Sequence, residues 1–363
     1  MKIVVLVVAT FVMVVTSVLI YWSPGRASPI VDDRGHPVPG SLSEKVRVPI
    51  NGVQQGMIIT SRNPSNPVLL FVHGGPGMPG YFLNDDYPTG LENDFTVAWW
   101  DQRGAGLSFD SDIPANSMTV EQFVQDTIAV TNYLRQRFGA DKIYLMGHSW
   151  GSFIGIQAAA KAPELYHAYI GVGQVSYQLR SEQLSYDYLL ERYRALGDTD
   201  MVHKLEAAPV TMSVPLPADY DKVRDQAMHQ VGVGTTHDMT SVIWGIFIPS
   251  WRCRAYTLTE KLNLWRGKRS ACNASLREEL LTTDLTAKVP ELKVPVYFLH
   301  GSYDYTVSYP MAQQYLSALK APMKGFYTID RSAHSPVYEQ PDLTRRILRD
   351  DVLTGKTTLA DRT

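Results

Sequence analysis

Gly147-His148-Ser149-Trp150-Gly151 stands where a short apolar run gives way to a helix-like segment. A turn that sharp holds its central residue in a strained backbone conformation, and the glycines two before and two after keep the crossing chains from clashing. Ser149 is therefore the candidate nucleophile. A serine hydroxyl attacks poorly at neutral pH unless a base takes its proton, and an imidazole base needs a carboxylate to fix its tautomer. Among nine histidines, His334 follows the last strand-like run, and Asp304 follows the one before it. Both positions fall at the carboxyl edge of a parallel sheet, where such sheets place their sites. The order Ser149, Asp304, His334 is the order that the nucleophile-elbow architecture uses. Asp330 is the alternate acid, disfavoured because it ends the strand beside His334 and reads as a turn former.

Attack on a carbonyl builds an oxyanion that preorganised donors must meet. The backbone N–H of Trp150, directly after the nucleophile, is one candidate. The other lies in His73-Gly74-Gly75-Pro76-Gly77, with Gly75 ahead of Gly74, because glycine lets backbone approach a substrate closely.

The elements that must position these residues are legible in the spacing of apolar side chains. Runs at residues 45–50, 54–61, 68–73 and 96–100 read as strands. Thr119 and Gln122 form a capping box ahead of an amphipathic helix that ends at Gly139. Residues 142–147 and 166–172 read as strands around a helix over 150–164, and strands at 294–300 and 325–329 alternate with helices over 311–319 and 343–353. That alternation predicts an α/β fold with a mostly parallel sheet. It is interrupted between 176 and 288, where helices over 182–196 and 222–231 suggest an inserted helical cap. The expected division is 1–24 anchor or signal, 25–43 tether, 44–175 plus 289–354 core, and 176–288 cap.

Residues 3–22 form an uncharged stretch of 20 residues rich in Val, Ile and Leu. As a helix it would extend about 30 Å, enough to cross a hydrocarbon core. Tyr21 and Trp22 close it where an interfacial aromatic belt lies. A secretory signal competes, since Gly25-Arg26-Ala27 is a passable cleavage site, but signal apolar regions are shorter. The expectation is a membrane anchor with an extracytoplasmic catalytic domain, or else a secreted protein. With 34 Lys plus Arg against 36 Asp plus Glu, nucleic acid is not an expected partner. Two cysteines and no zinc-like spacing point to no structural metal. Cys253 and Cys272 are expected to form one disulfide if the domain lies outside the cytoplasm, two free thiols being the alternative.

Taken together, His73-Gly74-Gly75-Pro76-Gly77, Asp101-Gln102-Arg103-Gly104-Ala105-Gly106-Leu107-Ser108 and Gly147-His148-Ser149-Trp150-Gly151-Ser152 resemble the proline iminopeptidase family of α/β-hydrolases. The resemblance covers about residues 45–175 and 294–353. It implies an α/β-hydrolase sheet under a helical cap, no cofactor, a structural role for Arg103, and oxyanion donors on Gly75 and Trp150. It also implies cap glutamates that hold the substrate's free amine beside a tryptophan-rich segment. Here Trp244 and Trp251 have no glutamate beside them, which leaves Glu182 and Glu191 on a cap helix as the candidates. The expected activity is a serine hydrolase cleaving a small peptide or amide with a free N-terminus. A carboxylesterase on the same triad and a non-catalytic binding protein on a hydrolase fold are the alternatives.

Overall fold

In the computed structural model, which describes residues 1–271 and 273–362, eight strands build one sheet. An apolar helix, α1 (Lys2–Tyr21), precedes β1 (Leu42–Ile50), β2 (Val53–Ser61), β3 (Val68–Val72) and β4 (Thr96–Asp101). Helix α2 (Val120–Phe138), β5 (Ile143–His148), α3 (Trp150–Lys161) and β6 (Tyr166–Val172) follow. The strands lie in the order β1-β2-β4-β3-β5-β6, completed by β7 (Val296–Gly301) and β8 (Lys324–Ile329). The pairings of β1 with β2 and of β2 with β4 are antiparallel; the rest are parallel. Central strands β3 and β4 are buried at every position, which explains why they read as continuous apolar runs rather than as alternation.

Thr119 caps α2 by accepting the Gln122 N–H, and Gly139 closes the helix at φ 61°. The capping box is only half formed, because the Gln122 amide turns to Asp126 instead. Between β6 and β7 the chain folds as α4 (Gln178–Leu196), α5 (Thr199–Glu206), α6 (Ala218–Gln230), α7 (Ile248–Arg252), α8 (Leu258–Ala271), α9 (Ala274–Thr282) and α10 (Leu285–Lys288). Leu189, Tyr193, Leu205, Tyr220 and Met228 give the α4–α6 part an apolar core of its own. Helices α11 (Tyr309–Ala318), α12 (Pro336–Glu339) and α13 (Pro341–Ile347) complete the fold.

No residue of α1 is buried. Residues 22–26, where the expected tether over 25–43 begins, are held to the cap. Lys261 Nζ, on α8, donates to Trp22 O and to Ser23 Oγ. Pro24 bridges to Thr257, and the Arg26 N–H donates to Arg254 O. The expected partner of Cys253, Cys272, lies outside the described residues; Cys253 itself is buried.

Candidate active site

Ser149 sits at φ 56°, ψ −122°, between the end of β5 and the first turn of α3. Such a backbone costs on the order of 1–3 kcal/mol and persists only where its surroundings enforce it. The flanking glycines show that enforcement: a Cβ on Gly147 would lie 2.4 Å from Gly151 O, and one on Gly151 would lie 1.9 Å from Val72 O. The Ser149 N–H donates to Val172 O, and Ser152 Oγ donates to Ser149 O while accepting the Val175 N–H. The serine is thus bolted to β6 on one side and to the loop after it on the other.

The loops after β7 and β8 bring Asp304 and His334 together. His334 Nδ1–H donates to Asp304 Oδ2 at 2.9 Å, which leaves Nε2 as the acceptor. Asp304 is fully buried. Burial alone would raise its pKa, but the imidazoles of His334 and His300 together hold its carboxyl well below the usual carboxylate range. The Val307 N–H donates to its Oδ1 at 2.9 Å, and His300 Nε2–H is shared between Val307 O at 3.0 Å and Asp304 Oδ2 at 3.2 Å. Asp330 takes no part in this cluster. The turn carrying His334 is gripped by Glu339, whose carboxylate accepts the Ala333 and Ser335 N–H groups and the Ser332 hydroxyl. The cap closes on the same turn, since the His334 N–H donates to Gly234 O at 3.3 Å. His148 Nε2–H donates to His334 O, with ring centroids 5.0 Å apart. Burial, assisted by His334, pushes His148 down to about 3. Ser149 Oγ and His334 are not hydrogen-bonded to each other in this arrangement, and such contacts are often long before substrate arrives.

Gly75, Ser149 and Trp150 all line one cavity of about 330 Å³. Trp150 is the first residue of α3, so its N–H has no intrahelical partner and is free to meet a charge. Gly75 reaches the cavity at φ 118°, a conformation that excludes side chains, and a Cβ on Gly74 would lie 3.1 Å from Ser149 Cβ. The glycine loop is held by His73, whose Nδ1–H donates to Gly74 O while Nε2 accepts the Gln102 N–H at 3.1 Å. Burial pushes this imidazole down to about 4, so it stays neutral. The Gln102 side chain donates to His73 O and accepts Trp150 Nε1–H at 2.9 Å, joining all three motifs in one network. Arg103 makes a buried two-pronged pair with Asp126, at 2.7 and 3.0 Å, and donates to Asn51 O.

Of the two cap glutamates, Glu182 reaches the cavity and Glu191 does not. Glu191 lies exposed on α4, away from the lining residues. Glu182 is buried and already engaged: Arg224 Nε and Nη2 donate to it at 2.7 Å each, and Gln178 donates at 2.9 Å. Asp221, Asp225 and Arg277 also line the cavity, so its walls hold one carboxylate more than guanidinium. Leu216, Leu280 and Leu281 supply the apolar part.

Residues 67–214 match the α/β hydrolase fold family. The probable aminopeptidase YbaC of Bacillus subtilis is 31% identical over 306 residues, spanning 84% of this chain and 94% of that one. The chain belongs to the proline iminopeptidase-like α/β-hydrolases. The proline iminopeptidase of Thermoplasma volcanium is 24% identical over 73% of this chain and 82% of its own. The crystal structure of a proline iminopeptidase-related protein from Thermus thermophilus shares the fold, with a TM-score of 0.59 at 20% identity over 86% of this chain and 98% of that one.

Within this α/β-hydrolase, the residues that sequence reasoning did not find are the supports: Gln102, Asp126, Arg224, His300 and Glu339. Gln102 had a signal, being inside a motif already singled out, and Glu339 had a weak one, five positions from His334. Asp126 and Arg224 had none, because a charge on a helix reads as solvated until its partner is known.

Proposed function

We propose that the chain is a serine hydrolase held at a membrane by α1, acting through an acyl-enzyme on a small peptide or amide with a free N-terminus. Ser149 Oγ attacks the carbonyl carbon while His334 Nε2 takes its proton; Asp304 orients the ring and stabilises the imidazolium. The N–H groups of Trp150 and Gly75 receive the oxyanion. His334 then gives the proton to the leaving amine, and water, activated by the same imidazole, releases the acyl group. The observation that carries this reading is the 2.9 Å pair of His334 and Asp304 on the sheet edge that also holds the strained Ser149. The names of the relatives agree with it.

The free-amine preference rests on the extra carboxylate in the cavity, since an α-ammonium brought into a water-excluded site needs a counter-charge. Glu182 is the proposed partner; Glu191 is withdrawn from that role. One observation favours the esterase reading instead: the Glu182 carboxylate is already bonded to Arg224 and Gln178. A panel of aminoacyl amides, their N-acetylated analogues and short acyl esters separates the two. Faster cleavage of the free amines, with Glu182→Gln raising KM for them and leaving kcat nearly unchanged, is the expected result. Equal rates on acetylated substrates would overturn the aminopeptidase reading and leave the esterase one.

A further inference from the structure

The cap carries an apolar surface that the catalytic reading does not use. Ile243, Trp244 and Phe247 are 61%, 73% and 40% exposed, on a π-helical turn that runs directly into α7. Neighbours at i and i+4 share one helix side, and large apolar groups gathered there in water mark a contact surface.

The patch lies beside the end of α1. The ammonium of Lys261 donates at once to Trp22 O and Ser23 Oγ and to Trp251 O at 2.6 Å, so the exit of α1 and the last turn of α7 share one cation. Arg254 donates to Tyr21 O at 3.3 Å, and its guanidinium lies 5.0 Å from the Tyr21 ring centre. Phe247 packs on Trp265 at 5.1 Å, and the Lys268 ammonium lies 5.6 Å from the Trp265 ring. Trp244 precedes Trp251 by seven positions, roughly 10 Å of helix rise. A bilayer whose interface holds Tyr21 and Trp22 therefore comes within reach of Trp244. Apolar and aromatic groups edged by cations are what a headgroup layer accommodates.

We infer that residues 243–252 form a second membrane contact, with Ile243, Trp244 and Phe247 set into the interface and Arg254 and Lys268 facing anionic phospholipid. This rests on the reading of α1 as a membrane span. The catalytic domain is then braced against the bilayer at two points.

Tryptophan emission tests it on the full chain, in vesicles of phosphatidylcholine and phosphatidylglycerol with and without brominated phosphatidylcholine. Subtracting the spectrum of Trp244→Phe isolates Trp244, and subtracting that of Trp22→Phe isolates Trp22. Both difference spectra are expected to be blue-shifted and quenched by bromolipid. A quenched Trp22 beside a red-shifted, unquenched Trp244 would overturn the second contact while leaving the span intact. A chain that does not float with the vesicles overturns the span, and the second contact with it.

Discussion

The His334 imidazole, the base of the proposed mechanism, has its other ring nitrogen, its carbonyl and its turn already engaged. Its Nδ1–H is committed to Asp304, its carbonyl to His148, and its turn to Glu339. Replacing Ser149 by Ala should abolish turnover, and Asp304→Asn should lower kcat by about 10⁴-fold through the wrong tautomer. Fluorophosphonate labelling of wild type but not of Ser149→Ala, with unchanged thermal unfolding, is the check. The neutral buried histidines carry a second consequence. His73 and His148 resist protonation in the fold down to about 4 and 3 respectively, whereas an imidazole in the unfolded chain takes a proton near 6.5. Between those values the unfolded chain binds more protons, so stability falls as the pH falls from about 6.5. Each group contributes a slope approaching about 1.4 kcal/mol per pH unit. Urea midpoints that stay flat from pH 7 to 4.5 would contradict this.

Strand and helix ends bring Ser149, Asp304 and His334 to one edge of the sheet. The turn that carries Ser149 was legible because Gly147 and Gly151 sit where no Cβ fits, a constraint that leaves a trace in residue type. Gly151→Ala should prevent folding or displace Ser149, seen as loss of both soluble yield and fluorophosphonate labelling. Glu182 was legible as a carboxylate on a cap helix, but so was Glu191, which sits nine positions on and turns to solvent; position along a helix alone does not say which turns meet a cavity. The docking at the start of the tether was illegible for a related reason. Its prolines and glycines carry no period, and the groups that hold residues 22–26, Arg254, Thr257 and Lys261, are distant in sequence. The buried pair of Arg103 and Asp126 ties the loop after β4 to α2. Breaking it with Asp126→Asn should cost roughly 3–5 kcal/mol, read from urea unfolding, because an unpaired guanidinium is left in the core.

At the scale of the molecule, the sheet supplies a rigid edge and the cap supplies the walls of the cavity. Helix α1 stands outside both, 20 residues with none buried. The full chain should stay with membranes through alkaline carbonate extraction, and release into the supernatant would contradict the anchor. Lys261 has all three of its donors occupied by oxygens from two otherwise separate stretches of chain. Lys261→Met should free the segment after α1 and open it to limited proteolysis within residues 24–40, with the catalytic rate little changed.

The docking of residues 22–26 against Arg254, Thr257 and Lys261 constrains any cut made after Ala27. A signal peptidase acting after Ala27 needs its substrate extended and released. In the folded protein Pro24 is bridged to Thr257 and the Arg26 N–H is bonded to Arg254 O. Such a cut would have to be made on the emerging chain, before Arg254 and Thr257 are folded to receive that segment. For any peptidase that cuts there, slower folding of the cap would lengthen the time in which the cut can be made and raise the released fraction.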